Sequence, residues 1–376
     1  MSPVTRVTPD DVRFMRRALQ LAARGRGRVE PNPMVGCVIV RNGRIIGEAY
    51  HRRFGGPHAE SEALRRGADG TRGATVYVSL EPCCFQGKTP PCSEALLDAG
   101  VREVVAALRD PNPRVAGRGL RRLKDAGIAV RCGVLEDEAR ALNAPFVKLM
   151  RAHRPWVILK WAQSLDGKIA THSGDSKWIT DDVQRAHAQR LRSFVDAIMV
   201  GARTVLADDP LLTYRLGRPW RVATRIVLDA QLSVPPTVRL VRTARRVPTW
   251  FFCTRRVPRE RIQRLEAAGC VVHRVAEESS SRGARVSLPA VLDVLGAVEM
   301  SNVLVEGGGT LLGGFFDQRL LDEVDVYIAP RLIGGQTAIG ALHGRGAARL
   351  GEALWLWPTP TVRRLGTGWW LQARVK

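Results

Sequence analysis

His58 and Glu60 stand two residues apart in GPHAESEAL, directly after a Gly-Gly-Pro break. Residues at that spacing do not share a helix face, so an ordinary ion pair does not account for them. Downstream, the strand-like TVYVSL runs into EPCCFQGKTPPC, where Pro82 precedes Cys83 and Cys92 closes the stretch. One imidazole and two thiolates make three metal ligands and leave a fourth tetrahedral corner for water, the layout of a catalytic zinc site. A closed structural site would want a fourth protein ligand. Zinc, one ion per chain, would lower the pKa of its water toward neutrality and so make a nucleophile. Glu60, near the metal without ligating it, is the expected proton carrier, because ammonia needs a proton to leave. His-x-Glu followed by Pro-Cys and a further Cys is the signature of zinc nucleobase deaminases, here with a longer gap between the cysteines. Cys84 competes as a ligand, and Cys83 is preferred because it directly follows Pro82.

Elements must bring these residues together. His58 precedes a helix expected from about Ala59 to Arg66, and Cys92 opens another, CSEALLDAG; the dipole at both N-termini favours thiolate. The first half alternates helix and strand. A helix at 11–23, a hairpin turned at Asn42-Gly43, the strands ATVYVSL, REVVAAL and IAVRCGV, and the helix GLRRLKDAG predict an α/β sandwich over residues 1–148. The basic KLMRAHRPW suggests a linker at 149–155. Residues 156–376 read as a second α/β domain with strands WVILKWAQS, DAIMVG, RIVLD, TWFFCT, VVHRV, NVLVEG and VDVYIAP and a polar EESSSRG loop. In NVLVEGGGTLLGGFFD a strand, three glycines and a helix follow in order, which would let backbone N–H groups approach a phosphate. The Gly-x-Gly-x-x-Gly fingerprint is absent, so a Rossmann fold is not inferred. Lys160 lies in an otherwise apolar strand, needs a partner, and is a candidate for a reacting centre.

Composition narrows the classes. At 376 residues two domains are the default, and 45% hydrophobic with 25% charged residues is a globular balance. No apolar run reaches bilayer length and the N-terminus reads as a capped helix, so no membrane role and a cytoplasmic address are expected. The formal charge of +22 invites a nucleic-acid reading. Its bases scatter singly or in pairs without interleaved aromatics, so no nucleic-acid partner is expected. Seven cysteines do not make a disulfide scaffold, and Cys37, Cys132, Cys253 and Cys270 look like small core residues. Two other readings stay open: a nucleic-acid deaminase with an accessory binding domain, and a zinc-stabilised interaction module in which Glu60 is incidental.

The motifs EPNPMVGCVIV, GGPHAE, LEPCCFQGKTPPC and RDPNPRVAGRGL, then LKWAQSLDGKIA, SGDSKWIT, GARTVLADDPLLT, VEGGGTLLGGFF and APRLIGG, resemble the bifunctional deaminase–reductases of riboflavin biosynthesis over nearly the whole chain. The resemblance implies a cytidine-deaminase-like α/β/α sandwich followed by a dihydrofolate-reductase-like α/β domain, and a homodimer. It implies a small phosphorylated substrate, a diaminopyrimidinone ribosylamine 5′-phosphate, touched by Asn32, His51 and Lys88. After deamination, NADPH would reduce the ribosyl group to a ribityl chain. On the reductase side it implies substrate contacts from Ser176, Arg192, Leu212, Arg215 and Glu306. It implies cofactor contacts from Ala162, Trp178, Thr204, Asp208, Gly308, Gly309, Thr310, Leu311, Leu312, Gly313 and Gly314. Where that family usually has a Ser-His pair, this chain has Cys84 and Phe85.

Overall fold

Thr8 begins the first helix by a capping box: its hydroxyl accepts from the Asp11 N–H, and the Asp11 carboxylate accepts from the Thr8 N–H. Pro9 fits the first helical position because no hydrogen bond is lost there. The computed structural model describes residues 7–278 and 283–376. It divides between His153 and Arg154 into two units, each with its own sheet.

The first unit runs α1 (Pro9–Ala22), β1 (Gly36–Arg41), β2 (Arg44–Tyr50), α2 (Ala59–Gly67), β3 (Thr75–Val78), α3 (Cys92–Asp98), β4 (Glu103–Ala106), α4 (Arg118–Asp125), β5 (Ala129–Cys132), α5 (Glu136–Leu142) and α6 (Ala144–Ala152). The sheet order is β2-β1-β3-β4-β5, with β3, β4 and β5 parallel and β1 antiparallel to both its neighbours. Asn42 and Gly43 turn the hairpin with positive φ of 51° and 73°, as a two-residue turn of the right twist requires. Strand alternation sorts the core onto two faces. Val38, Val40, Tyr77 and Val105 meet Phe14, Met15 and Ala18 of α1 and Phe146 of α6. Cys37, Ile39, Val76, Val78 and Val104 meet Ala59 and Ala63 of α2, Leu96 of α3 and Leu123 of α4. The result is the expected helix–sheet–helix sandwich.

Two expectations need correction here. The segment 149–155 is not all linker: α6 continues to Ala152, and His153 ends it in the left-handed region at φ 52°. The apolar-periodic residues of KLM simply extend the helix. Cys132 is exposed, whereas Cys37, Cys253 and Cys270 are buried. It ends β5, the edge strand, where no neighbouring strand covers it.

The second unit runs β6 (Trp156–Ser164), β7 (Lys168–Ala170), α7 (Asp182–Leu191), β8 (Ala197–Gly201), α8 (Ala202–Asp208), β9 (Thr224–Leu228), α9 (Arg239–Arg242), β10 (Thr249–Thr254), α10 (Arg259–Ala267), β11 (Val271–Val275), β12 (Glu277–Glu278), β13 (Arg285–Val286), α11 (Leu288–Ala297), β14 (Asn302–Val305), α12 (Gly309–Asp317), β15 (Glu323–Ala329), β16 (Ile339–Gly340), β17 (Leu356–Leu365) and β18 (Gly368–Val375). Its main sheet is ordered β11-β10-β9-β8-β14-β6-β15-β18-β17. The seven strands from β11 to β15 are parallel, and β18 and β17 close the edge as an antiparallel hairpin. Helices cover both faces, which is why the central strands read as continuous apolar runs. Leu288, Val291 and Leu292 of α11 and Phe315 of α12 pack on one side. Val205 of α8, Leu240 of α9 and Leu265 of α10 pack on the other. The seven strands expected from sequence are all present, and the closing hairpin is an addition. The centre of the EESSSRG loop, 279–282, lies outside the described residues. No helix among the described residues is long and apolar enough to cross a membrane.

Candidate active sites

His58 is the N-cap of α2 and Cys92 the first residue of α3, so two helix starts and the end of β3 bring the expected ligands together. The three ligand atoms all lie within 4.8 Å of one another. His58 Nδ1 is 3.2 Å from Cys92 Sγ and 3.5 Å from Cys83 Sγ. Zinc bond lengths of about 2.3 Å to sulfur and 2.0–2.1 Å to nitrogen give a tetrahedron an N···S edge of about 3.5 Å, so the donor set fits that ion. The Cys92 N–H donates to Cys83 Sγ at 3.3 Å. The Cys83 thiol is pulled down to about 4, first by the hydrogen bond from Cys92 and then by His58, against burial. That bond is the one between the two sulfurs, distinct from the backbone contact, and it pushes the Cys92 thiol up, so the pair shares one proton. Among the described residues no fourth side chain joins this group.

Beside it opens a cavity of about 240 Å³ lined by His58, Glu60, Cys83, Asn32, His51 and Lys88, with Phe54, Phe85 and Phe146 as apolar wall. Asn32, His51 and Lys88 are thus placed with the metal group, as the sequence resemblance implied. Glu60 is 3% exposed, and burial raises its carboxyl to about 7. His51 Nδ1 lies 3.0 Å from the Pro57 carbonyl, which can only accept, so Nδ1 carries a proton. Burial lowers the His51 pKa, leaving the ring neutral, so Nε2 accepts from the Asn32 amide at 3.3 Å. The Asn32 carbonyl oxygen is then free to accept from a ring N–H or amine. Lys88 Nζ lies 3.9 Å from the centre of the Phe54 ring. Phe85 stands in the wall where a polar side chain would offer a hydrogen bond.

Among the lining residues that sequence reasoning passed over are Glu81, Asp110, Asn112 and Val115. Burial raises the Asp110 carboxyl to about 7. The signal for Asp110, Asn112 and Val115 was RDPNPRVAGRGL itself, a proline-punctuated stretch between strand and helix, which was used only as a family motif.

In the second unit Glu306 follows β14 and faces Lys160 on neighbouring β6. Arg192 donates to Glu306 through Nε at 2.6 Å and Nη2 at 2.9 Å, and Lys160 Nζ is 3.7 Å from Oε2. Burial would raise the Glu306 carboxyl, but Arg192 and Lys160 hold it at about 2. Burial lowers the Lys160 pKa despite Glu306. Arg192 and Arg215 both donate to the Thr213 carbonyl, at 3.4 and 3.2 Å, next to buried Leu212 at φ 48°. Lys160, Arg192, Leu212, Arg215 and Glu306 therefore form one cluster with two positive charges in excess of negative. Ser176 lies in the loop before α7 and, among the described residues, makes no hydrogen bond to this cluster. Tyr327 and Asp325 on β15 were not anticipated. Lys160 Nζ is 5.5 Å from the Tyr327 ring centre, and Asp325 pairs with Lys160 in register, its carboxyl raised to about 7 by burial.

The residues expected at a cofactor lie on β6, in the loop before α7, on α8 and at the start of α12. Ala162 lies two residues beyond Lys160 on the same face of β6, and Thr204 is in the first turn of α8. Asp208 ends α8 and pairs with Lys177 Nζ at 2.9 Å. Trp178 is 62% exposed, with the Arg185 guanidinium 4.6 Å from its ring centre. Gly308 caps α12, whose first N–H groups have no acceptor within the helix. A Cβ on Gly308 would sit 3.8 Å from Thr204 Oγ1, so that backbone is approachable. The same does not hold for all the glycines. A Cβ on Gly313 would meet the His343 carbonyl oxygen at 1.3 Å, and one on Gly309 the Gly340 carbonyl at 2.8 Å. Those two glycines seat the 340–343 segment against α12. Thr310, Leu311, Leu312 and Gly314 complete the first two turns, with Leu312 in the core.

Residues 155–353 match the RibD C-terminal domain, and residues 8–108 match the cytidine and deoxycytidylate deaminase zinc-binding region. The chain is 42% identical over 347 residues to the riboflavin biosynthesis protein RibD of Actinobacillus pleuropneumoniae, covering 92% of this chain and 91% of the relative. It is 43% identical over 355 residues to that of Escherichia coli K12, covering 91% and 94%. The solved structure of Acinetobacter baumannii RibD superposes with a TM-score of 0.85 at 36% identity, covering 98% of this chain and 99% of that one. That of a diaminohydroxyphosphoribosylaminopyrimidine deaminase/5-amino-6-(5-phosphoribosylamino)uracil reductase from Thermotoga maritima does so at 0.80 and 34%, with the same coverage. A zinc-binding deaminase unit and a reductase unit, the latter implying a nicotinamide cofactor, stand on one chain, and that chain belongs to the RibD family of bifunctional riboflavin-biosynthesis enzymes.

Proposed function

We propose that the first unit hydrolytically deaminates a diaminopyrimidinone ribosylamine 5′-phosphate at one zinc ion per chain, and that the second reduces the deaminated ribosyl group to ribityl with NADPH. The observation that carries the reading is the convergence of His58, Cys83 and Cys92 on one point beside buried Glu60, at the wall of a cavity. Zinc held there by those three residues supplies a Lewis acid that activates water near neutral pH. Glu60, placed beside that point and shielded from solvent, takes a proton at its carboxylate and returns it to the departing amine. Asn32 and neutral His51 orient the pyrimidine, and the Lys88 ammonium neutralises a phosphate or polarises a carbonyl.

In the second unit the nicotinamide cofactor supplies hydride when bound. Arg192 and Arg215 hold the ribose phosphate, and Glu306 fixes the Arg192 fork. Lys160 is poised to give a proton to the substrate as its ribose is reduced, since burial weakens its hold on that proton. Ala162, Trp178, Thr204, Asp208 and the 308–314 turn hold NADPH, and Ser176 is the remaining substrate contact. A homodimer and a cytoplasmic location complete the reading.

The test supplies the purified chain with the pyrimidine substrate and NADPH, following ammonia release and nicotinamide absorbance. Stepwise ammonia release and then NADPH oxidation are expected. His58→Ala abolishes the first and leaves reduction of pre-deaminated substrate intact. Loss of both in a folded variant contradicts the division of labour.

A further inference from the structure

Glu81 lies two residues before Cys83, is 3% exposed, and has no lysine or arginine within ion-pair reach among the described residues. Its charge is met by backbone alone. Oε2 accepts from the N–H groups of Asp110 at 3.1 Å and Gly117 at 2.9 Å. Oε1 accepts from Gly119 at 3.0 Å and Leu120 at 3.2 Å. Four donors are aimed at two oxygens, and hydrogen bonds to a carboxylate are stronger than neutral ones. The Gly119 and Leu120 donors come from the first turn of α4, whose dipole favours an anion there. The seam is tight: a Cβ on Gly119 would meet the Pro82 carbonyl oxygen at 2.0 Å and Glu81 Oε1 at 3.3 Å.

These bonds join two walls of one cavity. On one side stands Cys83, and on the other Asp110, Asn112 and Val115, all lining the same space. Loops of this kind normally move on their own. Here the 110–120 segment is fastened at both its ends, residue 110 and residues 117–120, to the chain segment that carries Cys83. We infer that Glu81 is a positioning residue for deamination: its carboxylate clamps the 110–120 loop to the Cys83 segment and so sets the width of the pyrimidine cavity. The inference rests on the deaminase reading of that cavity.

Glu81→Gln keeps the shape but puts an NH₂ group against two N–H donors, which releases half the clamp. Gly119→Ala opens the same seam from the loop side and leaves the carboxylate in place. In the full-length chain both variants are expected to raise the deaminase KM by at least about tenfold, with kcat within about threefold, the pattern of lost substrate binding. Zinc content stays at the wild-type level, and reduction of pre-deaminated substrate is unchanged. Amide hydrogen exchange across 110–120 is faster in both. A KM within twofold of wild type in both variants overturns the inference while leaving the deaminase reading standing. Loss of zinc in parallel with activity overturns it too, because Glu81 would then support the metal group and not the opposite wall. Failure of the wild-type chain to release ammonia removes the deaminase reading itself, and this inference with it.

Discussion

Glu60 in the first unit and Glu306 in the second are both buried and are held in opposite ways. Asp325, beside Lys160, is raised by burial to about 7 as Glu60 is. In the first unit Glu60 and Asp110 line a cavity without a cation partner, and burial raises both to about 7. In the second, Glu306 is equally buried, yet Arg192 and Lys160 hold it at about 2. Without a metal the Cys83–Cys92 pair carries one negative charge. A divalent ion held by two thiolates would make the set neutral and so bring the Glu60 carboxyl below about 7. A carboxyl that can exist in either state suits a site that moves protons between water and a leaving amine. A carboxylate locked in its charged form suits a site that must present fixed geometry to a phosphate, with two positive charges to spare. One site is built to exchange charge and the other to hold it.

The widest split between the two comes from the metal ligands. Cys83→Ala or Cys92→Ala removes one of three ligands, and neither the remaining pair nor Glu60 can activate water unaided. Deamination is expected to fall by at least about 10³-fold, with bound zinc lost on metal analysis and reduction of pre-deaminated substrate within about twofold of wild type. Chelation of the wild type should reproduce this pattern. If the chelated enzyme kept its deaminase rate, the metal account of that cavity would fail.

The converse experiment is Glu306→Gln. It leaves Lys160 and Arg192 buried without their common anion, and breaking a buried pair in this way costs about 3–5 kcal/mol. Reductase kcat/KM should fall by roughly 10²-fold while ammonia release is untouched. The pH dependence follows from the sign of the shift. Glu306 sits near 2 when folded against 4.5 as its ordinary value, so its contribution to stability is complete above that ordinary value and is lost as pH falls toward 2. Acid titration of the full-length chain, followed by circular dichroism, should show wild type losing its stability margin over E306Q across that window. Parallel acid curves for the two proteins would mean the carboxylate is not held by its partners as described.

What could be read from the sequence follows the same division. The metal group was legible because zinc accepts few residue types, and His58, Cys83 and Cys92 announce themselves by type and order. The parallel strands were legible because burial on both faces makes them continuous apolar runs. The Lys160–Glu306–Arg192 cluster was not legible by pattern. Its members sit about 30 to 150 positions apart, on β6, just after α7 and just after β14, and Arg192 and Glu306 alone are ordinary charged residues. Lys160 stood out as a lysine in an apolar strand, family resemblance placed Arg192 and Glu306, and only the fold shows the three touching. The hairpin β17–β18 was missed because Pro358 and Pro360 argue against a strand, yet β17 is the sheet edge, where proline is tolerated. The close approach of the 340–343 segment to Gly309 and Gly313 was not legible because that segment comes from far along the chain.

The smallest expected effect concerns Phe54, 44% exposed, whose ring holds the Lys88 ammonium at 3.9 Å. Lys88 is an exposed lysine on a glycine- and proline-bracketed loop, and without a partner its ammonium would sample many positions over the cavity mouth. The ring restricts it to one side. An exposed cation–π contact contributes about 0.5–1 kcal/mol, which corresponds to a factor of about 2–5 in binding. Phe54→Ala is therefore expected to raise the deaminase KM by about that factor without changing kcat, and Phe54→Tyr to leave both alone. The reductase, which has no part in this contact, serves as the internal control. Should Phe54→Ala match Lys88→Ala in the size of its KM effect, the ring would be doing more than steadying the ammonium, and the apolar wall it shares with Phe85 and Phe146 would be the better explanation.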